Sequence, residues 1–239
     1  MCLLLEQLQQ WYATPPGQWL LQFEQEQANK WVPLVRGATV LQMGGLPDTF
    51  SIAKHASEHY YFLSSQPSEV EKKNVDLIAH QEELPFLPNS VNVVLLVHVL
   101  EYAEHPTAVL KEVFDILAPN GKLLLFCFNP WSLWGMHKLL SKNKPFPWKG
   151  KFISPARLQN WLISLGFSNL KDKTLCFRSP YNKRRLTRFA FFCEALGQIT
   201  IPMLGAVSVF LVEKRVLNPL RQQRYQWRKQ RAMVSIQGK

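Results

Sequence analysis

Residues 82–121 read EELPFLPNSVNVVLLVHVLEYAEHPTAVLKEVFDILAPNG, and the order of apolar runs and breaks in this stretch decides the fold class. The run Asn92–Leu100 is apolar at nearly every position, interrupted by His98, as suits a parallel strand covered on both faces. Pro106 opens a helix in which apolar residues at 109, 110, 113, 116 and 117 recur at three-four spacing. Asn120 and Gly121 end that helix before a further strand, Lys122–Phe128.

Working outward, Ala38–Gly45 (ATVLQMGG), Tyr60–Leu63 and the weaker Val75–Ala79 read as three earlier strands. Beyond the centre, Ser154 caps and Pro155 starts a helix that Gly166 ends, and 167–177 and 205–215 read as two final strands. Gln18–Lys30 carries an amphipathic pattern after a Pro-Pro-Gly break. Strands alternating with helices predict an α/β, Rossmann-like, doubly wound and mostly parallel seven-stranded sheet with helices on both faces. The expected organisation is an N-terminal helical cap over 1–36, a Rossmann domain over 37–215 with an insertion at 129–152, and a basic tail over 216–239.

The composition suits a globular chain with one substantial core: 239 residues, 47% hydrophobic, with 8 Trp and 15 Phe. Disordered, collagenous and disulfide-scaffold classes are excluded on that ground. The longest apolar stretches, Val93–Leu100 and Ile199–Val212, fall short of the roughly 18 residues a membrane span needs, so no transmembrane segment is expected. The start lacks a signal-peptide pattern, and the chain is expected in the cytoplasm. Cys2, Cys127, Cys176 and Cys193 have neither metal-clip nor disulfide-framework spacing and read as free thiols. The net charge of +11 is uneven: residues 1–115 hold 6 basic against 14 acidic residues, and 116–239 hold 22 against 3. The second half should therefore attract anions.

The stretch 82–121, with its Leu-Pro-Phe turn, apolar strand, His-x-Leu-Glu turn and helix ending at Pro-x-Gly, resembles the middle of class I S-adenosylmethionine-dependent methyltransferases of the type-11 group. More narrowly, TPPGQWLLQFEQEQ (14–27) and FNPWSLWG (128–135) resemble a proteobacterial YafS-like branch, with a likeness running to about residue 219. The resemblance implies a bacterial methyltransferase with S-adenosylmethionine as cofactor. It assigns Gln42, Met43, Gly44, Gly45 and Leu46 to the loop under the cofactor's methionine part, Ser64 to the ribose, Gln81 and Glu82 to the adenine edge, and Val97 and His98 to the side of the methyl group. The chain departs from the group's pattern at Gln42, where an acid is usual, and at Leu46 and Asp48, where glycines are usual. It departs again at Ser64 and Ser65 and at Asn92, where an acid is usual or common, and at His80 and Gln81, where Asp-Ala is common.

Methyl transfer from a sulfonium needs alignment and, for some acceptors, a base. His98 is the base candidate; the alternative is that it packs under the cofactor or makes a structural hydrogen bond. His98, Glu101 and His105 need not converge, and no metal is expected. Asn129, Trp131 and Trp134 head an aromatic and lysine-rich segment, 129–152, which reads as a lid over an acceptor or as packing that covers the sheet. Lys183, Arg184, Arg185 and Arg188 form a basic cluster, and Arg221, Arg224, Arg228 and Arg231 align on one face if the tail is helical. These could meet nucleic acid or an anionic membrane, or be solvated. The expected activity is methyl transfer to a small-molecule acceptor. The rival is a catalytically degenerate relative that binds nucleic acid or a protein partner through its basic half.

Overall fold

The structure is a computed structural model that describes residues 2–32, 37–47, 57, 59–65, 75–140, 147–177 and 204–215, with side chains from residue 7 onward. Seven strands, β1 (Thr39–Gly44), β2 (His59–Ser64), β3 (Leu77–Ile78), β4 (Val91–Val97), β5 (Leu117–Phe128), β6 (Phe167–Leu175) and β7 (Val207–Lys214), form one sheet. Their order is β3-β2-β1-β4-β5-β7-β6. Strands β1 to β5 pair in parallel, and β7 enters antiparallel between β5 and β6. The described helices are α1 (Cys2–Tyr12), α2 (Pro15–Trp31), α3 (Pro106–Ile116), α4 (Leu133–Leu140) and α5 (Pro155–Ser164).

The alternation of the central strand explains the layers. Val91, Val94 and Leu96 of β4 join a core with Val109, Leu110 and Val113 of α3 and Leu158 and Leu162 of α5. Val93, Leu95 and Val97 point to the opposite face and pack with Leu20 and Ala28 of α2 and Phe126 and Phe128 of β5. Both faces are thus covered, as the near-continuous apolar run demands.

Local chemistry sets the element ends. Helix α2 begins three residues before the predicted Gln18, because Thr14 accepts from the Gly17 N–H and Pro15 takes the first turn. Strand β3 is shorter than predicted. Asp76 places its carboxylate on the Phe62 N–H at 2.8 Å, so a side chain occupies the ladder where a carbonyl would stand. Asn92, at a position where the related group commonly has an acid, accepts from the Thr39 N–H at 2.8 Å and pins the start of β1. At the end of α3, Lys214 donates to the carbonyls of Phe114 and Leu117, both at 2.7 Å, and to Asn89 Oδ1 at 2.9 Å. A cation on the last carbonyls of a helix also complements its dipole.

Candidate functional site

The chain runs β1 to β2 to β3 on one side and then crosses to β4 on the other, so the switch point of the sheet lies between β1 and β4. Open α/β sheets bind ligands outside the carboxyl ends of their strands at such a point. Gly44 is paired with Val97 there, and Met43 with both Leu63 and Leu96. Gly44 and Gly45 have φ of 73° and 70°, in the left-handed region. A Cβ on Gly44 would stand 2.2 Å from the Val97 carbonyl oxygen, so only glycine lets the turn lie against β4.

Gln42 explains how this turn is held without the usual acid. Its buried amide donates from Nε2 to the carbonyls of Gly44 at 2.9 Å and Leu46 at 3.1 Å, while its Oε1 accepts from the Tyr60 hydroxyl. A carboxylate could not donate to those carbonyls. Leu46 packs against Leu8 and Tyr12 of α1, so the turn also touches the helical cap. Ser64 is buried at the end of β2, and its carbonyl accepts from Ala79 N–H beyond β3. Gln81 and Glu82 follow β3 on the same edge, half-buried, and Asp48 lies outside the described residues.

His98 leaves β4 with φ of 53° and is almost fully buried. Nε2 lies 2.7 Å from Glu24 Oε1 of α2, and Nδ1 lies 3.0 Å from Glu101 Oε1. Tyr12 of α1 donates to the other Glu24 oxygen at 2.9 Å, and Glu101 Oε1 also accepts from the Phe128 N–H at 2.6 Å. The imidazole stacks on Phe128 with centroids 4.0 Å apart. Burial alone would lower its pKa, but the Glu24 charge and the hydrogen bonds to Glu101 and Glu24 outweigh burial and raise it to about 9. Burial, reinforced by Glu24, pushes the Tyr12 hydroxyl up; burial, reinforced by Glu101, does the same to Tyr102 and to the Cys127 thiol. Both ring nitrogens of His98 thus face carboxylate oxygens.

Reading the residues alone misses Glu24, Tyr12 and Tyr60, and weighs Glu101 only as a metal ligand. A signal for Glu24 is present: it shares the inward stripe of α2 with Leu20 and Ala28, where a carboxylate needs a buried partner. His98 and Glu101 meet each other, whereas His105 stands at the N-terminus of α3. No group of three metal-ligating side chains occurs among the described residues.

The segment after β5 divides. Asn129 is buried and organises the turn, donating from Nδ2 to Gly205 O at 3.0 Å and accepting from the Trp131 N–H at 3.1 Å. Trp134 is buried against Trp11, with centroids 5.7 Å apart, and against Phe128 and Trp148. Trp131 is exposed. The rings of Trp134, Trp148 and Phe152 therefore join α1 to the sheet through Trp11 and Phe128. Lys183, Arg184, Arg185, Arg188, Arg221, Arg224, Arg228 and Arg231 lie outside the described residues.

Residues 52–125 match the methyltransferase domain family. That match spans about a third of the chain, and the seven-stranded order is that of the class I methyltransferase fold. Over 217 residues the chain is 28% identical to the protein YafS of Escherichia coli (strain K12), covering 89% of this chain and 85% of that one. Among solved structures, it superposes on an S-adenosylmethionine-dependent methyltransferase of Thermotoga maritima with TM-score 0.65 at 19% identity, covering 88% of this chain and 96% of that one. A methyltransferase of Archaeoglobus fulgidus gives TM-score 0.59 at 16% identity, covering 80% and 92%.

Proposed function

We propose that the protein transfers the methyl group of S-adenosylmethionine to a small-molecule acceptor at the carboxyl edge of β1, β2, β3 and β4. The observation that carries this reading is the Gly44–Gly45 turn, held by the Gln42 amide beside Val97 at the switch point. The residues there fit the cofactor. Two glycines in left-handed backbone let main chain approach its methionine part, the Ser64 hydroxyl suits a ribose hydroxyl, and Gln81 and Glu82 suit the adenine edge. When bound, S-adenosylmethionine supplies an electrophilic methyl on a sulfonium sulfur, which leaves the protein the work of alignment.

In this reading His98 is a positioning residue. Held between Glu24 and Glu101, it ties the cap helices to the end of β4, and an acceptor that must lose a proton gives it to another group or to water. A small acceptor is favoured because the Trp11 and Trp134 rings, packed on each other, hold α1 against the segment after β5. Isothermal titration with S-adenosylmethionine and S-adenosylhomocysteine tests the reading. Saturable binding by the native chain, lost in Gly44→Arg while its melting stays cooperative, is expected. No heat and no thermal shift at millimolar ligand overturns it.

A further inference from the structure

The outer face of α4 is apolar, the reverse of a helix packed on a core. Leu133, Met136 and Leu140 recur at three and four residues and so share one face, with Leu139 beside it. Their exposures are 44%, 55%, 81% and, for Leu139, 81%; Trp131, just before the helix, is 68% exposed. The inward side holds the buried Trp134 and Gly135. The exposed large apolar side chains of the described residues thus concentrate on one short segment, and such clusters mark interaction sites.

The charge along this part of the sequence is of one sign. No acidic residue occurs between Asp115 and Asp172, while Lys138 lies on α4 and, through its bond to the Gly150 carbonyl, holds Lys149 and Lys151 beside it. Lys149 and Lys151 are exposed; Lys138 is engaged by the Gly150 carbonyl and the Phe152 ring. Protein interfaces are depleted in lysine, whereas helices lying in a bilayer surface combine Leu and Trp on one side with lysines at the rim. At eight residues, about 12 Å, α4 can lie in such a surface and cannot cross it.

We propose that this face docks the protein on an anionic lipid bilayer, with Trp131, Leu133, Met136, Leu139 and Leu140 entering the headgroup boundary and the lysines meeting lipid phosphates. The docking does not depend on cofactor binding. Because α4 follows the carboxyl end of β5, it brings that edge of the sheet to the lipid. The occupant is the bilayer itself; an acidic protein or a second copy of the chain are outcomes that defeat the proposal.

Flotation of the full chain with phosphatidylcholine vesicles and with phosphatidylglycerol-rich vesicles tests it. Binding to the anionic vesicles alone, weakened about tenfold or more in Leu139→Glu/Leu140→Glu, is expected, since two charges then face the acyl boundary. Both positions are 81% exposed, so the variant should melt as the native chain does. Quenching of tryptophan emission by brominated acyl chains, lost in Trp131→Leu, gives a second readout. A variant with Arg221, Arg224, Arg228 and Arg231 each changed to Gln separates the tail from this face. Absence of binding to anionic vesicles at low salt overturns the proposal, as does binding that survives in the leucine variant and vanishes in the tail variant. A dimer in sedimentation that the leucine variant splits, without vesicle binding, would assign the face to self-association instead.

Discussion

At the scale of single residues, Gln42 shows how a substituted signature position still serves its turn, and His98 how a matching one is held. The amide at 42 donates to two carbonyls of the glycine turn, work that the usual acid cannot do. Gln42→Glu would set a buried carboxylate against those oxygens at a cost of about 2–3 kcal/mol or more. We expect a lowered Tm and a cofactor Kd raised more than tenfold, with Gln42→Met milder; binding as tight as native in Gln42→Glu would refute the account. His98 makes a pH prediction. Its pKa near 9 in the fold lies above the roughly 6.5 of an unfolded imidazole, so its stabilisation is full below about 6.5 and fades as pH rises through 9. The stability gap between native protein and His98→Gln, at most ~3 kcal/mol, should shrink across that window; a gap constant with pH would exclude the charged pairing. Sequence alone could point to both positions, because the resemblance marks them. It could not supply their partners: Glu24 lies 74 residues from His98, and Tyr60 lies on a neighbouring strand.

At the scale of elements, periodicity and caps carried the reading a long way. The two-sided apolar run of β4, the three-four stripe of α3 and the Ser154 cap of α5 are local signals, and each element forms where its signal lies. What was not legible was each element's outward face: α4 has an apolar pattern that sequence alone reads as core or lid, yet its leucines face out. Two element contacts yield tests. Lys214→Met removes a cation from the last carbonyls of α3 and should cost about 2 kcal/mol, read by chemical denaturation. Gly17 sits where α2 crosses the end of α1, and a Cβ there would stand 2.2 Å from the Trp11 carbonyl oxygen. Gly17→Val should loosen the helical pair, so that limited proteolysis cuts within residues 1–31 before the sheet melts; equal protection in variant and native chain would show that the crossing is not needed to seat the cap.

At the scale of the whole molecule, the strand order turns a charge split in the chain into a lateral one. Among the described side chains, the half that holds β1 to β4 carries 2 basic against 9 acidic residues, and the half that holds β5 to β7 carries 9 against 2. Opposed sides of this kind attract one another between copies when screening is weak. Sedimentation should therefore show association at low ionic strength that about 0.15 M salt removes; association unaffected by salt would point to an apolar contact instead.

The same strand order governs what a ribosome releases. β7 is the last strand of the sheet to be synthesised, yet it stands between β5 and β6, and it is the link through which β6 joins the other strands. At about 5–20 residues per second, roughly four to sixteen seconds separate the synthesis of Phe128, the end of β5, from that of Val207, the start of β7. Throughout that interval the nascent chain presents the apolar edge of β5 with no neighbour on that side. A stalled or prematurely ended chain would forfeit two strands for the loss of one, and its bare β5 edge is what a chaperone on the emerging chain would have to shield.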